Sequence, residues 1–235
     1  MKITRSVAYA LLANLAITSS MYGETIIGDE IGNGNFEAEA FGSKAVAYKN
    51  VSHWHLIGGN ETSTTFGTLQ GTNGSPDSAA DGRNDRQAAY LFDNDDSSQG
   101  DRYAANDTGY TIQSAGESFS IEMALHQFGR TANYHGDEYI NAVLFTVAKN
   151  LNTSTEVADI EIVASTQLMI TGTWLTVSAD GFYTTTEQDI GKTVFLGLEL
   201  VDPQSPEGGR SIFPRFDAVR LEVHPGESTP SAEPE

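Results

Sequence analysis

The residues of this chain best suited to chemistry are hard oxygen donors near its two ends. Asn35 and Glu37 stand in the stretch Gly32-Asn-Gly-Asn-Phe-Glu37, and Asp217 stands in Phe213-Pro-Arg-Phe-Asp-Ala-Val-Arg-Leu-Glu-Val223. Amide and carboxylate oxygens are ligands for a hard cation such as Ca²⁺, and the glycines beside them let the backbone turn carbonyls inward. With the period of two that a strand imposes, Val219, Leu221 and Val223 point one way and Ala218, Arg220 and Glu222 the other. Asp217 has the parity of the valines, so alternation predicts a carboxylate turned toward the core. A buried charge left alone costs several kcal/mol, on the order expected for desolvated ions, and must be paired or bound to a metal. The expectation is that the two ends of the domain meet around a structural Ca²⁺ held by Asn35, Glu37 and Asp217. The alternative is a pair of surface carboxylates.

A second set of residues has the chemistry of sugar recognition. Sugars present C–H faces that stack on flat rings and hydroxyls that bond to Asn, Asp, Gln and Arg. The loop Arg130-Thr-Ala-Asn-Tyr-His-Gly-Asp137 places such groups between two strands, where function concentrates. Tyr103, Arg130, Tyr134, His135 and Trp54 are the candidate ligand contacts, each set against the reading of an ordinary loop or core residue. Gln127, Arg130, Tyr134 and His135 also have the types a polysaccharide lyase uses, with a Tyr or His taking the proton beside a carboxylate that Arg neutralises. Nucleophile-elbow, zincin and phosphate-loop motifs are absent. With 32 acidic residues no glycosidase pair can be singled out. The acidic loop Asp93 to Asp101 lacks the spacing of an EF-hand and reads as a solvated turn.

The elements that must position these groups are strands. Phe119, Ile121, Met123 and Leu125 alternate with Ser120, Glu122 and Ala124, a half-buried strand, and Ala88 to Phe92 is an apolar run suited to burial on both faces. Ala45 to Val51, Trp54 to Ile57, Tyr139 to Ala148, Val157 to Ala164, Trp174 to Ser178, Thr193 to Val201 and the final run through Val223 complete the set. The Gly/Thr/Ser-rich stretch from Gly58 to Gly82 has too few apolar residues for a core of its own. No helix is expected. Regularly spaced strands with polar turns predict an all-β fold, a two-sheet antiparallel β-sandwich.

Asn33-Gly-Asn-Phe-Glu37, Trp54, Gln87-Ala-Ala-Tyr-Leu91 and Phe216-Asp-Ala-Val-Arg-Leu221 resemble the galactose-binding-like jelly-roll superfamily, within it the bacterial carbohydrate-binding modules found beside secreted glycoside hydrolases. The resemblance spans roughly residues 30 to 224. It implies a jelly roll and a structural calcium held by the acid of the first motif and the aspartate of the last, here Glu37 and Asp217. It also implies that Trp54 and Trp174 pack beneath the sheet.

Composition and charge set the class of partner. Met1 to about Gly23 reads as a secretory signal peptide, with Lys2 and Arg5 ahead of an apolar run from Val7 to Ile17 that is short for a bilayer. Residues 24–224 form one sandwich domain, and 225–235 form a flexible Pro/Glu-rich tail. The chain has a net charge of -19 and no cysteine. Such a surface repels nucleic acid, anionic lipid and polyanionic glycans, and disulfides cannot supply stability. The expected function is a secreted, monomeric, non-catalytic protein of the extracellular space or cell envelope that binds a neutral polysaccharide or glycan. It carries a calcium and inserts in no membrane. A structural or adhesive envelope protein is the alternative, and a lyase the third reading.

Overall fold

A computed structural model describes residues 23–38, 46–47, 51–58, 66–70, 87–91, 103–127, 135–147, 156–203 and 214–226. The expected signal segment, the acidic loop at 93–101 and the end of the tail lie outside these residues. Among the described residues twelve strands follow one another: β1 (Glu24–Ile27), β2 (Val46–Ala47), β3 (Trp54–Ile57), β4 (Phe66–Gln70), β5 (Gln87–Leu91), β6 (Tyr103–Thr111), β7 (Ser118–Gln127), β8 (Tyr139–Val147), β9 (Ile160–Met169), β10 (Leu175–Thr184), β11 (Thr193–Val201) and β12 (Pro214–His224). Seven form an antiparallel sheet in the order β10-β7-β12-β5-β4-β2, with β1 also on β12, and five form a second sheet in the order β3-β6-β11-β8-β9. The fold is the expected all-β two-sheet sandwich. Among the described residues the only helical turns are two short 3₁₀ segments, Val157–Asp159 and Glu187–Asp189.

Alternation builds the core. Phe119, Ile121, Met123 and Leu125 of β7 meet Phe216, Val219 and Leu221 of β12, Ile140, Ala142 and Leu144 of β8, and Leu196 and Leu198 of β11. Strand β5 is buried on both faces, with Ala88, Ala89, Tyr90 and Leu91 each at most 5 % exposed. The sequence gives no warning of β1, β4 and β6. Phe66 of β4, in the stretch with too few apolar residues for a core of its own, is fully buried in the core that the other strands build.

The first departure from simple alternation is at Asp217. Phe216 pairs with Leu125 and Asp217 with Ala124, but the next pair is Arg220 with Glu122, so Ala218 and Val219 together oppose Met123. This is a β-bulge. Ala218, at the bulge, has φ of +50°, and its amide donates to Asp217 Oδ1 at 2.8 Å. The extra residue reverses parity: Phe216 and Val219 both face the core, and Asp217 stands with Arg215 on the outer face. The expectation of an inward Asp217 is corrected, although its side chain is still buried, at 1 % exposure. An L-residue pays about 1–2 kcal/mol in the left-handed region and glycine does not. Ala218→Gly is therefore expected to stabilise the fold, by about 1 kcal/mol after glycine's greater unfolded-state entropy is subtracted; urea unfolding checks it.

One end of the sandwich is sealed by two buried carboxylates. Glu117 accepts from the Tyr110 hydroxyl (2.9 Å) and the amides of Gln113 and Ser114 (3.0 and 2.7 Å). Asp189 accepts from the Tyr183 hydroxyl (2.6 Å), the Thr186 amide and hydroxyl (2.8 and 2.6 Å) and Lys192 Nζ (3.1 Å). Burial raises both phenols well above their ordinary value, and the acceptor carboxylates, Glu117 for Tyr110 and Asp189 for Tyr183, add to the shift. A raised phenol stabilises the fold fully below its unfolded pKa of about 10 and loses that contribution as pH rises toward the folded value. Stability is expected to fall steadily above about pH 10. Chemical denaturation at stepped pH should show a shallower fall in Tyr110→Phe and Tyr183→Phe.

Candidate functional site

The stretch that was expected to hold a cation serves first as a clasp between the sheets. Gly34 donates its amide to Gly28 O (2.9 Å), and Gly34 O accepts from the Val219 amide, also at 2.9 Å. Asn33, 5 % exposed with φ of +54°, takes the Ala38 amide on Oδ1 (3.1 Å), gives Nδ2 to Ser52 O (3.2 Å), and offers its carbonyl to the Trp54 indole N–H at 3.1 Å. Gly32 O accepts from Nδ2 of buried Asn106 on β6 at 2.7 Å. Phe36 has φ of +58°, an outlier for a bulky residue that survives only where packing over-determines it. Its ring lies 5.2 Å from Trp54 and 5.4 Å from Phe216.

The two ends of the domain thus meet, through a backbone bond and an aromatic cluster. Asn35 Oδ1 accepts from the Glu37 amide at 3.3 Å, Glu37 is half-buried, and Asp217 flanks the bulge that receives Gly34. The donor types, one amide and two carboxylates on adjoining stretches, fit a hard cation.

Two proposed ligand contacts are corrected. Trp54 is 2 % exposed among Phe36, Phe66 and Phe216, so its face is not open to a sugar. Tyr103 is likewise 2 % exposed. It packs with Ile57, Val143, Phe145 and Phe195 on the outer side of the five-stranded sheet, over Gly197, where a Cβ would lie 2.8 Å from Val143 Cγ2 and 3.2 Å from Tyr103 Cδ1. Arg130 and Tyr134 lie outside the described residues. His135 is exposed, and its amide, with that of Gly136, donates to buried Glu138 at 2.7 and 2.8 Å. His135, Asp137 and Glu138 bring ligand-type atoms within 4.8 Å of one another, but both Glu138 oxygens are occupied in capping this turn.

The end opposite the sealed one gathers the open polar groups. There the bond from Ile170 N to Glu138 O (3.1 Å) extends the β8–β9 ladder, and the bond from Gln127 N to Thr171 O (2.8 Å) ties the end of β7 to the segment that crosses from β9 to β10. On the outer face of the five-stranded sheet, Glu199, Asn141 and Gln167 stand in register across β11, β8 and β9. Asn141 Nδ2 donates to Glu199 Oε2 at 2.9 Å. The next outward row is Val201, Tyr139 and Met169; Tyr139 is half-buried and Met169 is 43 % exposed. Neighbouring strands lie about 4.8 Å apart, so the row is a ladder of amides and a carboxylate beside a phenol ring. It can exchange paired hydrogen bonds with vicinal hydroxyls and offer a ring edge to a C–H face. Sequence reasoning missed it because Asn141 and Glu199 interrupt apolar strands singly, and only the register of β8 against β11 makes them a pair.

Trp174 is also placed differently from what the resemblance implies. It is half-buried, and its ring lies 5.4 Å from that of His126, tilted at 45°; His126 has the outer-face parity of β7.

No family model and no curated relative matches the chain. Among solved structures it is similar to the Stig cyclase FisC from Fischerella sp. TAU, at 14 % identity and a TM-score of 0.55 over 88 % of this chain and all of that one. A likeness of 12 % identity and TM-score 0.49 covers 81 % of this chain and 26 % of an arabinose-bound α-L-arabinofuranosidase, MgGH51. The CBM22-1 xylan-binding domain of Paenibacillus barcinonensis Xyn10C matches at 10 % identity and 0.44 over 88 % of this chain and 98 % of that one. At such identities the likeness is one of fold: this chain is a β-sandwich of the architecture found in the cyclase.

Proposed function

We infer that this protein binds a glycan without chemically altering it, on the outer face of the five-stranded sheet. The observation that carries the inference is the Asn141–Glu199 pair, held at 2.9 Å on a face that is open at Gln167 and Met169 and bordered by Tyr139. Side chains fixed by register on rigid strands recognise hydroxyls with little ordering cost. The strongly acidic surface favours a neutral polysaccharide or glycan over a polyanion. The protein acts as an exported monomer, and Asn35, Glu37 and Asp217 hold a structural Ca²⁺ that tightens the clasp.

The test is affinity electrophoresis through a panel of neutral polysaccharides. The wild-type chain is retarded, and Asn141→Ala weakens binding by tenfold or more, the equivalent of the roughly 1–3 kcal/mol expected when a polar partner is left unpaired. A polysaccharide that is shortened or gains unsaturated ends refutes the non-catalytic part. Retardation that Asn141→Ala leaves intact refutes the site. For calcium, a ligand bound only to the folded state raises the melting temperature, so a melting temperature unmoved by chelator refutes that part alone.

A further inference from the structure

The outer face of the seven-stranded sheet holds a polar hollow, set between two bulges. On one side β12 carries its extra residue at Ala218 and Val219. On the other, β10 follows β7 in register from Leu175 opposite Leu125 to Ala179 opposite Ile121, and rejoins it only at Tyr183 opposite Phe119. Asp180, Gly181 and Phe182 thus face the single residue Ser120, and the strand bows outward. Gly181 takes φ of +57°, which glycine adopts without steric penalty, and its amide donates to Ser120 Oγ at 2.9 Å. The hollow has a volume of about 160 Å³ and is lined by Ser120, Ile121, Glu122, Asp180, Arg220 and Glu222.

Its charges are unequally partnered. Register sets Arg220 opposite Glu122 and Glu222 opposite Ser120, but the ion pair that forms joins Arg220 to Glu222. Thr25 Oγ1 lies 3.4 Å from each of them, and His224 Nε2 stands 3.8 Å from the second oxygen of Glu222. Glu122 and Asp180 are exposed and, among the described residues, enter no hydrogen bond or ion pair. With Arg220 neutralised by Glu222, two carboxylates are left to set the field of the hollow.

Two carboxylates beside a hydroxyl form a cradle of acceptors, and a primary ammonium, a compact charge with three donors, is their complement. A chain of net charge -19 draws such a cation in at long range. The wall decides which ammonium fits. A lysine side chain brings a four-carbon stem that seeks apolar surface, yet Ile121, the one apolar residue that lines the hollow, is 1 % exposed and packs in the core. A ring with hydroxyls beside its ammonium instead finds Ser120, Arg220 and Glu222 within the same hollow. We propose that this hollow binds an amino sugar, with Glu122 and Asp180 as counter-charges to its ammonium and Arg220 and Glu222 as partners of its neighbouring hydroxyls. It lies on the other sheet from the Asn141–Glu199 row and does not depend on it.

The experiment is an NMR titration of the full chain at low salt and about pH 6, below the range of about 7.7–8.0 in which an α-amino group loses its proton. Methyl β-glucosaminide, methyl N-acetyl-β-glucosaminide and Nα-acetyl-lysine amide are added in separate runs. The Gly181 backbone amide and the Asn141 side-chain amide are followed. The free amine is expected to bind about tenfold tighter than the acetylated ring, the scale of one charge-assisted pair, and to shift Gly181 rather than Asn141. Glu122→Gln and Asp180→Asn remove charge from exposed positions and keep shape, so the double variant should fold as the wild type does and lose the preference. Equal affinities for the two sugars, a preference that survives in the double variant, or shifts confined to Asn141 overturn the proposal. Lysine amide bound as tightly as the amino sugar overturns it too, because the hollow would then read the ammonium alone. Should the double variant fail to fold, the wild-type comparison of the two sugars at Gly181 decides by itself.

Discussion

Gly34→Ala is expected to cost the fold about 3 kcal/mol, at the upper end of the range for overpacking a rigid site. A Cβ on Gly34 would fall 2.1 Å from Val219 O and 3.1 Å from Gly28 O. Both are backbone atoms, so no side chain can swing aside. To admit the methyl group, the loop must retreat from β12, and the bond from the Val219 amide to Gly34 O is then lost together with the pressure that holds Phe36 at positive φ. Gly28→Ala is the control. Its Cβ would meet only the Thr25 methyl, at 2.9 Å, and that side chain can rotate. Urea unfolding should therefore rank Gly34→Ala well below Gly28→Ala. Equal costs would mean that the clasp at Val219 contributes little.

This clasp also marks what could be read from the amino acids alone. Strands announced by long alternation, such as β7 and β12, appear almost to the residue, as does the doubly buried β5. The same rule fails at Asp217, since alternation carries no information about an inserted residue, and one bulge turns a carboxylate from the core face to the outer face. The motif around Gly34 was readable as a place where the backbone must turn, but not as a set of hydrogen bonds to β3, β6 and β12, because each partner is remote in sequence. The functional groups are harder still. Tyr103 and Trp54 have the right types and the wrong environment, as both side chains are buried in aromatic clusters. Asn141 and Glu199 are ordinary strand residues until pairing aligns them. A sheet makes its sites from register, and register is a property of partners, not of any single stretch.

Replacement of Trp54 separates scaffold from site most sharply. Its indole is 2 % exposed, lies 5.2, 6.0 and 6.3 Å from the rings of Phe36, Phe66 and Phe216, and gives its N–H to Asn33 O at 3.1 Å. Trp54→Ala is expected to cost about 3–5 kcal/mol, the range for deleting a large buried aromatic with only partial collapse of the cavity. For a domain of this size, where 1 kcal/mol moves the melting temperature by about 2–4 °C, the drop is on the order of 10 °C. Trp54→Phe keeps a ring in the cluster and loses the hydrogen bond and part of the volume, so its cost should be roughly half. The binding result is the more telling one. Since Trp54 faces the interior, folded Trp54→Phe protein should bind glycan as the wild type does, whereas Asn141→Ala should unfold at the wild-type midpoint and bind poorly. A Trp54→Phe protein of normal stability and reduced binding would reverse this assignment, making the indole a surface platform and the aromatic cluster around Phe36 the floor of the site.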